Sequence, residues 1–157
     1  MKATAVNKMT VAVLQTLLAK LTELTTHLGP ESFHTALIYE HFAMAKIRSK
    51  DEYATAFNNR GNWTGISLLP AWQSAEQDGF VREWIRGAVD ALAEVERADD
   101  TLAEVVVGKR AYYNGSTGDE KVTQVFGGNY ARLRKIKSKY DPEMLFRKWF
   151  PIVPAEE

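Results

Sequence analysis

Phe33-His34-Thr35-Ala36-Leu37-Ile38-Tyr39-Glu40-His41-Phe42 is where the chain changes its period. Side chains alternate across an extended backbone, so Phe33, Leu37 and Tyr39 share one face and Ala36, Ile38 and Phe42 the other. Aromatic and branched residues on both sides predict a strand over 33–42 with apolar groups on each face. Gly65 to Trp72 repeats the pattern and closes with Pro70, which predicts a second strand. Between the two lie a polar stretch over 46–53, a short extended piece at Thr55–Phe57 and the turn-forming cluster Asn58-Asn59-Arg60-Gly61-Asn62.

On either side of these strands the period is helical. Thr10 to Leu28 places Val11, Leu14, Leu18 and Leu21 on one face, extended by Leu17, Leu24 and Leu28, which reads as core packing, and Gly29-Pro30 ends the helix. Ser74-Ala75-Glu76-Gln77 has the form of a capping box, the Ser74 hydroxyl accepting from the Gln77 N–H. The helix after it carries Val81, Trp84, Ile85, Ala88, Leu92 and Val95 inward and Arg82, Glu83, Arg86, Asp90, Glu94 and Arg97 mostly outward. Val105 to Tyr113 is a third strand candidate. A last helix is expected from about Asp119 to Tyr140, with Val122, Val125, Phe126, Leu133 and Ile136 inward, until Asp141-Pro142 stops it. The apolar tail Leu145 to Val153 should pack back onto the domain. The order helix, two strands, helix, strand, helix predicts an α+β fold, an antiparallel sheet with helices packed on one face.

Length and composition narrow the classes. A chain of 157 residues is expected to be one domain, 1–157. Lys+Arg is 20 and Asp+Glu is 20, a balance that argues against coating nucleic acid or an anionic membrane. There is no cysteine, which excludes disulfides, thiolate-ligated metals and a cysteine nucleophile. No run of about 18 apolar residues predicts a membrane span. Met1 to Thr10 bears only Lys2 and Lys8, and no small-residue cleavage site follows, so no signal peptide is expected; the compartment stays open.

Few residues announce chemistry by themselves. Gly127-Gly128-Asn129 lacks the strand-then-helix setting of a phosphate loop and reads as a bend in the last helix. His34 and His41 are an odd number apart, so on one strand they face opposite sides and no metal site is expected. No nucleophile elbow is present. Arg132, Arg134, Lys135, Lys137 and Lys139 read as the outer face of an amphipathic helix. Tyr112-Tyr113-Asn114 beside Gly115-Ser116-Thr117-Gly118 puts two phenols and an amide next to a flexible turn, where they either line a pocket or bond the backbone.

Taken together, Tyr112-Tyr113-Asn114, then Phe126-Gly127-Gly128-Asn129-Tyr130-Ala131-Arg132-Leu133, then Lys137-Ser138-Lys139-Tyr140-Asp141-Pro142 and Phe146 resemble the C-terminal signature of the berberine bridge enzyme family of FAD-linked oxidases. Tyr39-Glu40-His41-Phe42 and Ala54-Thr55-Ala56-Phe57 through Leu69-Pro70-Ala71-Trp72 are similar to the family's substrate region. The resemblance implies that 1–105 is part of a substrate domain and 106–153 a berberine-like segment. It implies Tyr112 as a catalytic residue, Asn114, Asn129 and Tyr130 as contacts to the FAD cofactor, and Tyr39 and Ser67 on the substrate side. Gly115 stands where the family has the last Tyr of its Y-x-N-Y motif, and Ser67 where it often has Glu or Gln. Trp149-Phe150-Pro151-Ile152 replaces the usual N-Q-x-I ending.

The implied activity is removal of a hydride from a small organic substrate to FAD. The FAD-binding region and its flavin-linking His and Cys are not found in the sequence, so the resemblance implies a fragment or half of a split enzyme, inactive alone, whose partner is a separate FAD-binding domain or a second copy. A stand-alone, flavin-free small-molecule binding protein, or a cofactor-independent catalyst reusing the pocket, is the other class that these departures leave open.

Overall fold

A computed structural model describes residues 1–61, 63–102 and 112–156. The chain divides into two compact units, one formed by Met1–Phe42 and Trp63–Lys109, the other by Ala43–Asn62 and Arg110–Glu157. The strand expected over Val105–Tyr113 lies almost wholly outside the described residues.

The first unit is a three-stranded antiparallel sheet with two helices. Its strands are β1 (Lys2–Val6), β2 (Ala36–Glu40) and β3 (Thr64–Leu69), in the order β1-β3-β2. The expected strands are present, but shorter. Phe33 falls in a 3-10 turn, Gly29–His34, and is exposed, while β3 ends just before Pro70, which has no N–H for a ladder. Sequence reading missed β1 altogether. Its Lys-Ala-Thr-Ala-Val carries no aromatic signal, and it is held by pairing along β3, Lys2 opposite Leu68 through Val6 opposite Thr64.

Helices α1 (Val11–Leu28) and α3 (Asp78–Arg97) cover one face of the sheet. Thr10 caps α1 by accepting from the Val13 N–H, and Gly29 ends it with φ +56°, a conformation that costs a Cβ-bearing residue strain. Val6, Val13, Leu17, Leu24, Ile66, Leu68, Val81, Trp84, Ile85 and Leu92 form the shared core. The indole N–H of Trp84 donates to the Lys20 carbonyl at 2.9 Å, which fixes the register of α3 on α1.

The buried face of α1 differs from the expected one. Val13, Leu17, Leu24 and Leu28 are buried, whereas Val11 and Leu18 are 70% and 62% exposed and Leu14 is exposed too. The helix is apolar around most of its first three turns, so periodicity alone could not pick the buried stripe. The cap of α3 also differs: Ser74 accepts from the Glu76 N–H and opens a 3-10 turn, Ala75–Gln77, before the α-helix begins at Asp78. The Glu31 carboxylate receives the backbone N–H groups of Ser74 and Gln73, which holds its pKa below the ordinary carboxylate value.

The second unit contains α2 (Ala45–Arg48), α4 (Val122–Phe126) and α5 (Tyr130–Tyr140). The single helix expected over 119–140 is broken by a 3-10 turn at Gly127–Asn129, where Gly127 has φ +52°. Leu133 is half-buried, Ile136 is exposed, and both line a small hollow of 180 Å³ with Tyr53–Ala56. Of the tail, Phe150 packs on Val125, but Leu145, Phe146 and Trp149 stay exposed. No described helix is long and apolar enough to cross a membrane.

The register of α1 carries a test. Leu24→Ala and Trp84→Ala should each cost about 2–5 kcal/mol, through lost transfer energy and the cavity left behind. Leu18→Ala should stay within about 0.5 kcal/mol. Denaturant midpoints decide: a Leu18 variant as damaged as the Leu24 variant would reverse the assignment of faces.

Candidate functional site

The second unit holds a cleft of about 820 Å³. Three walls form it, and each is held by side chains donating to backbone carbonyls.

The first wall is the stretch from Ala56 to Asn59. The Asp51 carboxylate accepts the Tyr53 N–H at 2.7 Å and starts the turn. Arg60 then braces it, donating to the Ile47 carbonyl at 3.3 Å and the Thr55 hydroxyl at 2.7 Å, with its guanidinium 5.4 Å from the Phe57 ring centre.

The second wall is the break between α4 and α5. A Cβ on Gly127 would lie 2.6 Å from the Asn58 amide nitrogen, and one on Gly128 would lie 2.5 Å from the Tyr53 ring. Both distances are below any normal contact, so two glycines let the helix break seat directly on the loop. Asn129, 3% exposed, donates to the Glu52 carbonyl at 3.1 Å, and Arg132 donates to the Tyr53 carbonyl at 3.2 Å. In this chain the run Gly127-Gly128-Asn129-Tyr130-Ala131-Arg132 is thus a docking device for residues 52–58.

The third wall is the tail. Asp141 ends α5, and its two carboxylate oxygens take the Leu145 N–H at 2.7 Å and the Phe146 N–H at 3.0 Å. The Lys137 ammonium bonds the same carboxylate and also donates to the Phe146 carbonyl at 2.7 Å. This clamp turns the chain sharply, with Met144 at φ +57°, and delivers Leu145–Lys148 to the cleft. Lys137 and its hydrogen bonds to Asp141 hold the Asp141 carboxyl below the ordinary value of 3.8 against the opposing effect of desolvation. Arg134 donates to the Val153 and Pro154 carbonyls and fastens the end of the tail. Three side chains of the basic run on α5, Arg132, Arg134 and Lys137, thus satisfy main-chain oxygens, while Lys135 and Lys139 stay exposed.

Tyr112 and Tyr113 close the cleft. Tyr113–Gly115 is a 3-10 turn. The Tyr112 carbonyl accepts the Gly115 N–H and the Ser116 hydroxyl, both at 2.9 Å, so the turn is fixed by its backbone and the phenol is left to the cleft. Tyr113 packs its ring 5.7 Å from Phe150 and 6.4 Å from Phe126, and its carbonyl accepts the Trp149 indole N–H at 3.3 Å.

The six residues singled out from sequence are thus distributed unequally. Tyr112 lines the cleft; Asn114 sits exposed in the next turn; Asn129 is committed to the Glu52 carbonyl; Tyr130 is half-buried at the start of α5. Tyr39 and Ser67 belong to the first unit. Ser67 pairs with Ile38 and Tyr39 with Ile66, so the two side chains leave opposite faces of the sheet. Ser67 is buried and donates to the Glu40 carboxylate at 3.2 Å. Sequence reading missed the Lys137–Asp141 clamp, although the spacing of four on a helix was a usable signal. It also missed Phe57, Arg147 and Lys148 as cleft residues, since only folding brings them there. Among the described residues, no three His, Asp or Glu side chains converge as a metal would require.

Residues 111–152 match the family described as berberine and berberine like. FAD-linked oxidoreductase pgmH of Aspergillus terreus is 35% identical over 115 residues, covering 70% of this chain and 23% of pgmH. The uncharacterized FAD-linked oxidoreductase YvdP of Bacillus subtilis is 34% identical over 96 residues, 55% of this chain and 22% of YvdP. The chain spans about a quarter of the length of these curated relatives. The crystal structure of aclacinomycin oxidoreductase superposes with a TM-score of 0.61 at 21% identity, over 98% of this chain and 32% of that one, a likeness of fold.

Two measurements probe the walls. Gly127→Ala should destabilise by about 1–3 kcal/mol, because its backbone conformation is nearly reserved for glycine; an unchanged melting temperature would contradict the seating described. Asp141 has a depressed pKa when folded, so its contribution is complete above 3.8 and is lost as pH falls through the lower folded value. Asp141→Asn should lower the melting temperature at pH 7 and narrow the difference between melts at pH 7 and pH 3. Parallel pH profiles for the variant and the parent would count against the clamp.

Proposed function

We propose, for a chain whose C-terminal segment belongs to the berberine and berberine-like family and which is related to FAD-linked oxidoreductases, that it forms the substrate-facing part of an FAD-dependent oxidase. The observation that carries this reading is the position of Tyr112. It is the first residue of the family's tyrosine motif, its backbone is fixed by the turn, and its phenol lines an aromatic cleft. Among the described residues the hydroxyl has no hydrogen-bond partner, so it is available to a bound molecule.

The fit to FAD is partial. A glycine-rich stretch would have to cradle the pyrophosphate, but Gly127 and Gly128 are filled by Asn58 and Tyr53. The exposed Asn114 amide and the Tyr112 phenol can meet the edge of a flavin ring or a substrate oxygen. The dinucleotide would then be held by polypeptide other than the described residues, a separate FAD-binding domain. The exposed Tyr140, Leu145, Phe146 and Trp149 of the second unit suit such a neighbour.

Bound FAD supplies the acceptor for a hydride from a small organic substrate. The chain's own part is to bind and orient that substrate against its aromatic walls, and to exchange a proton at the Tyr112 oxygen. The Tyr39 and Ser67 side chains, on opposite faces of their sheet, would serve at most one to a face. A flavin-free binding protein is the second reading, favoured by a cleft that the second unit builds entirely from itself.

Joined to a flavin-binding domain, Tyr112→Phe and Asn114→Ala should keep the parent's melting temperature and lower turnover by roughly 10²-fold or more for the phenol. Full turnover in both variants would remove these residues from the site. The isolated chain should purify colourless, because ring-edge contacts alone do not hold a dinucleotide; a stoichiometric yellow protein would defeat that expectation.

A further inference from the structure

We propose that the cleft of the second unit is a binding site for a planar aromatic molecule bearing a negative charge, an aromatic carboxylate being the simplest example. The inference rests on the cleft being the substrate side of the proposed oxidase, and it names the substrate class.

A volume of about 820 Å³ is that of a site for a ring-containing organic molecule. Phe57, Tyr112, Tyr113, Phe126, Phe146 and Phe150 contribute aromatic surface. Rings recognise a flat partner by offset stacking and edge contacts, and they add to the area term for excluding water. Aliphatic chains would fill the same space without using that geometry.

The charge of the lining decides the rest. Lys137, Arg147 and Lys148 reach the cleft, and no Asp or Glu lines it among the described residues. Lys137 is already matched by Asp141 and the Phe146 carbonyl. Arg147 and Lys148 are exposed and have no anionic partner among the described residues. The chain as a whole is neutral, 20 basic against 20 acidic, so the cationic lining of the cleft is not a property of the chain at large. An anion at the rim gains two cations, one of them a guanidinium whose fork fits a carboxylate. A cationic molecule of the same shape would meet like charge with no compensating carboxylate. The clamp at Asp141 explains how the charges arrive there, since it sets the turn from which residues 145–148 continue.

The test uses the full chain and three probes of one shape: naphthoate, naphthalenemethanol and naphthylmethylamine, titrated by heteronuclear NMR. Naphthoate should saturate with shifts confined to residues 56–59, 112–113 and 145–150. The neutral alcohol should bind about tenfold more weakly and the amine more weakly still, as charge complementarity requires. The double variant Arg147→Glu, Lys148→Glu should lose naphthoate by about tenfold or more and keep the alcohol within about twofold. Equal affinities for all three probes, or naphthoate binding unmoved by the double variant, would overturn the proposal. Riboflavin phosphate serves as the competing source of the same chemistry. It should displace naphthoate no better than naphthoate displaces itself; displacement at about tenfold lower concentration would assign the cleft to the flavin and overturn the substrate class, while leaving the oxidase reading intact. Loss of the oxidase reading shows differently, as no turnover with a flavin-binding domain despite anion binding.

Discussion

The seating of Gly127-Gly128 on Asn58 and Tyr53 is the contact on which the second unit depends. It leaves no space for a Cβ at either glycine, so the helix-break backbone lies directly against the Asn58 amide and the Tyr53 ring. Asn129 and Arg132 match the carbonyls of Glu52 and Tyr53 from the same helix break. The aromatic cleft is a by-product of that arrangement, because the loop, once seated, holds Phe57 and Asn58 opposite α4.

Much of the first unit was legible in the sequence, since its helices are long and their apolar residues recur at helical spacing. What failed was the choice of face on α1. Val11, Leu14 and Leu18 are as apolar as Val13, Leu17 and Leu24, and only the sheet and Trp84 select between them. Strand β1 was illegible for a related reason: only Thr4 and Val6 in it favour a strand, Lys2, Ala3 and Ala5 do not, and its partner β3 lies far along the chain, Lys2 pairing with Leu68 and Val6 with Thr64. The bend at Gly127-Gly128-Asn129 could be read, because two adjacent glycines inside a helical pattern have few other meanings.

The candidate site was legible only where a motif pointed to it. Tyr112 could be picked out, whereas its neighbours in the cleft come from three distant stretches and have no common local pattern. The basic residues of α5 show the limit of reading charge from sequence. A run of Arg and Lys looks like a solvated face, yet three of its members are committed to carbonyl oxygens of the loop and the tail.

The loop that forms the first wall is made long before its partners. Glu52 and Tyr53 meet Asn129 and Arg132 across sequence separations of 77 and 79 residues. During synthesis at about 5–20 residues per second, the Glu52 and Tyr53 carbonyls therefore wait several seconds for these partners. In that interval the strands on either side of it, β2 and β3, can already pair. The second unit is then closed by a late, non-local event, with the entropic cost and slow rate that such contacts carry. Its exposed intermediate, an aromatic loop projecting from a finished sheet, is the species from which aggregation would start.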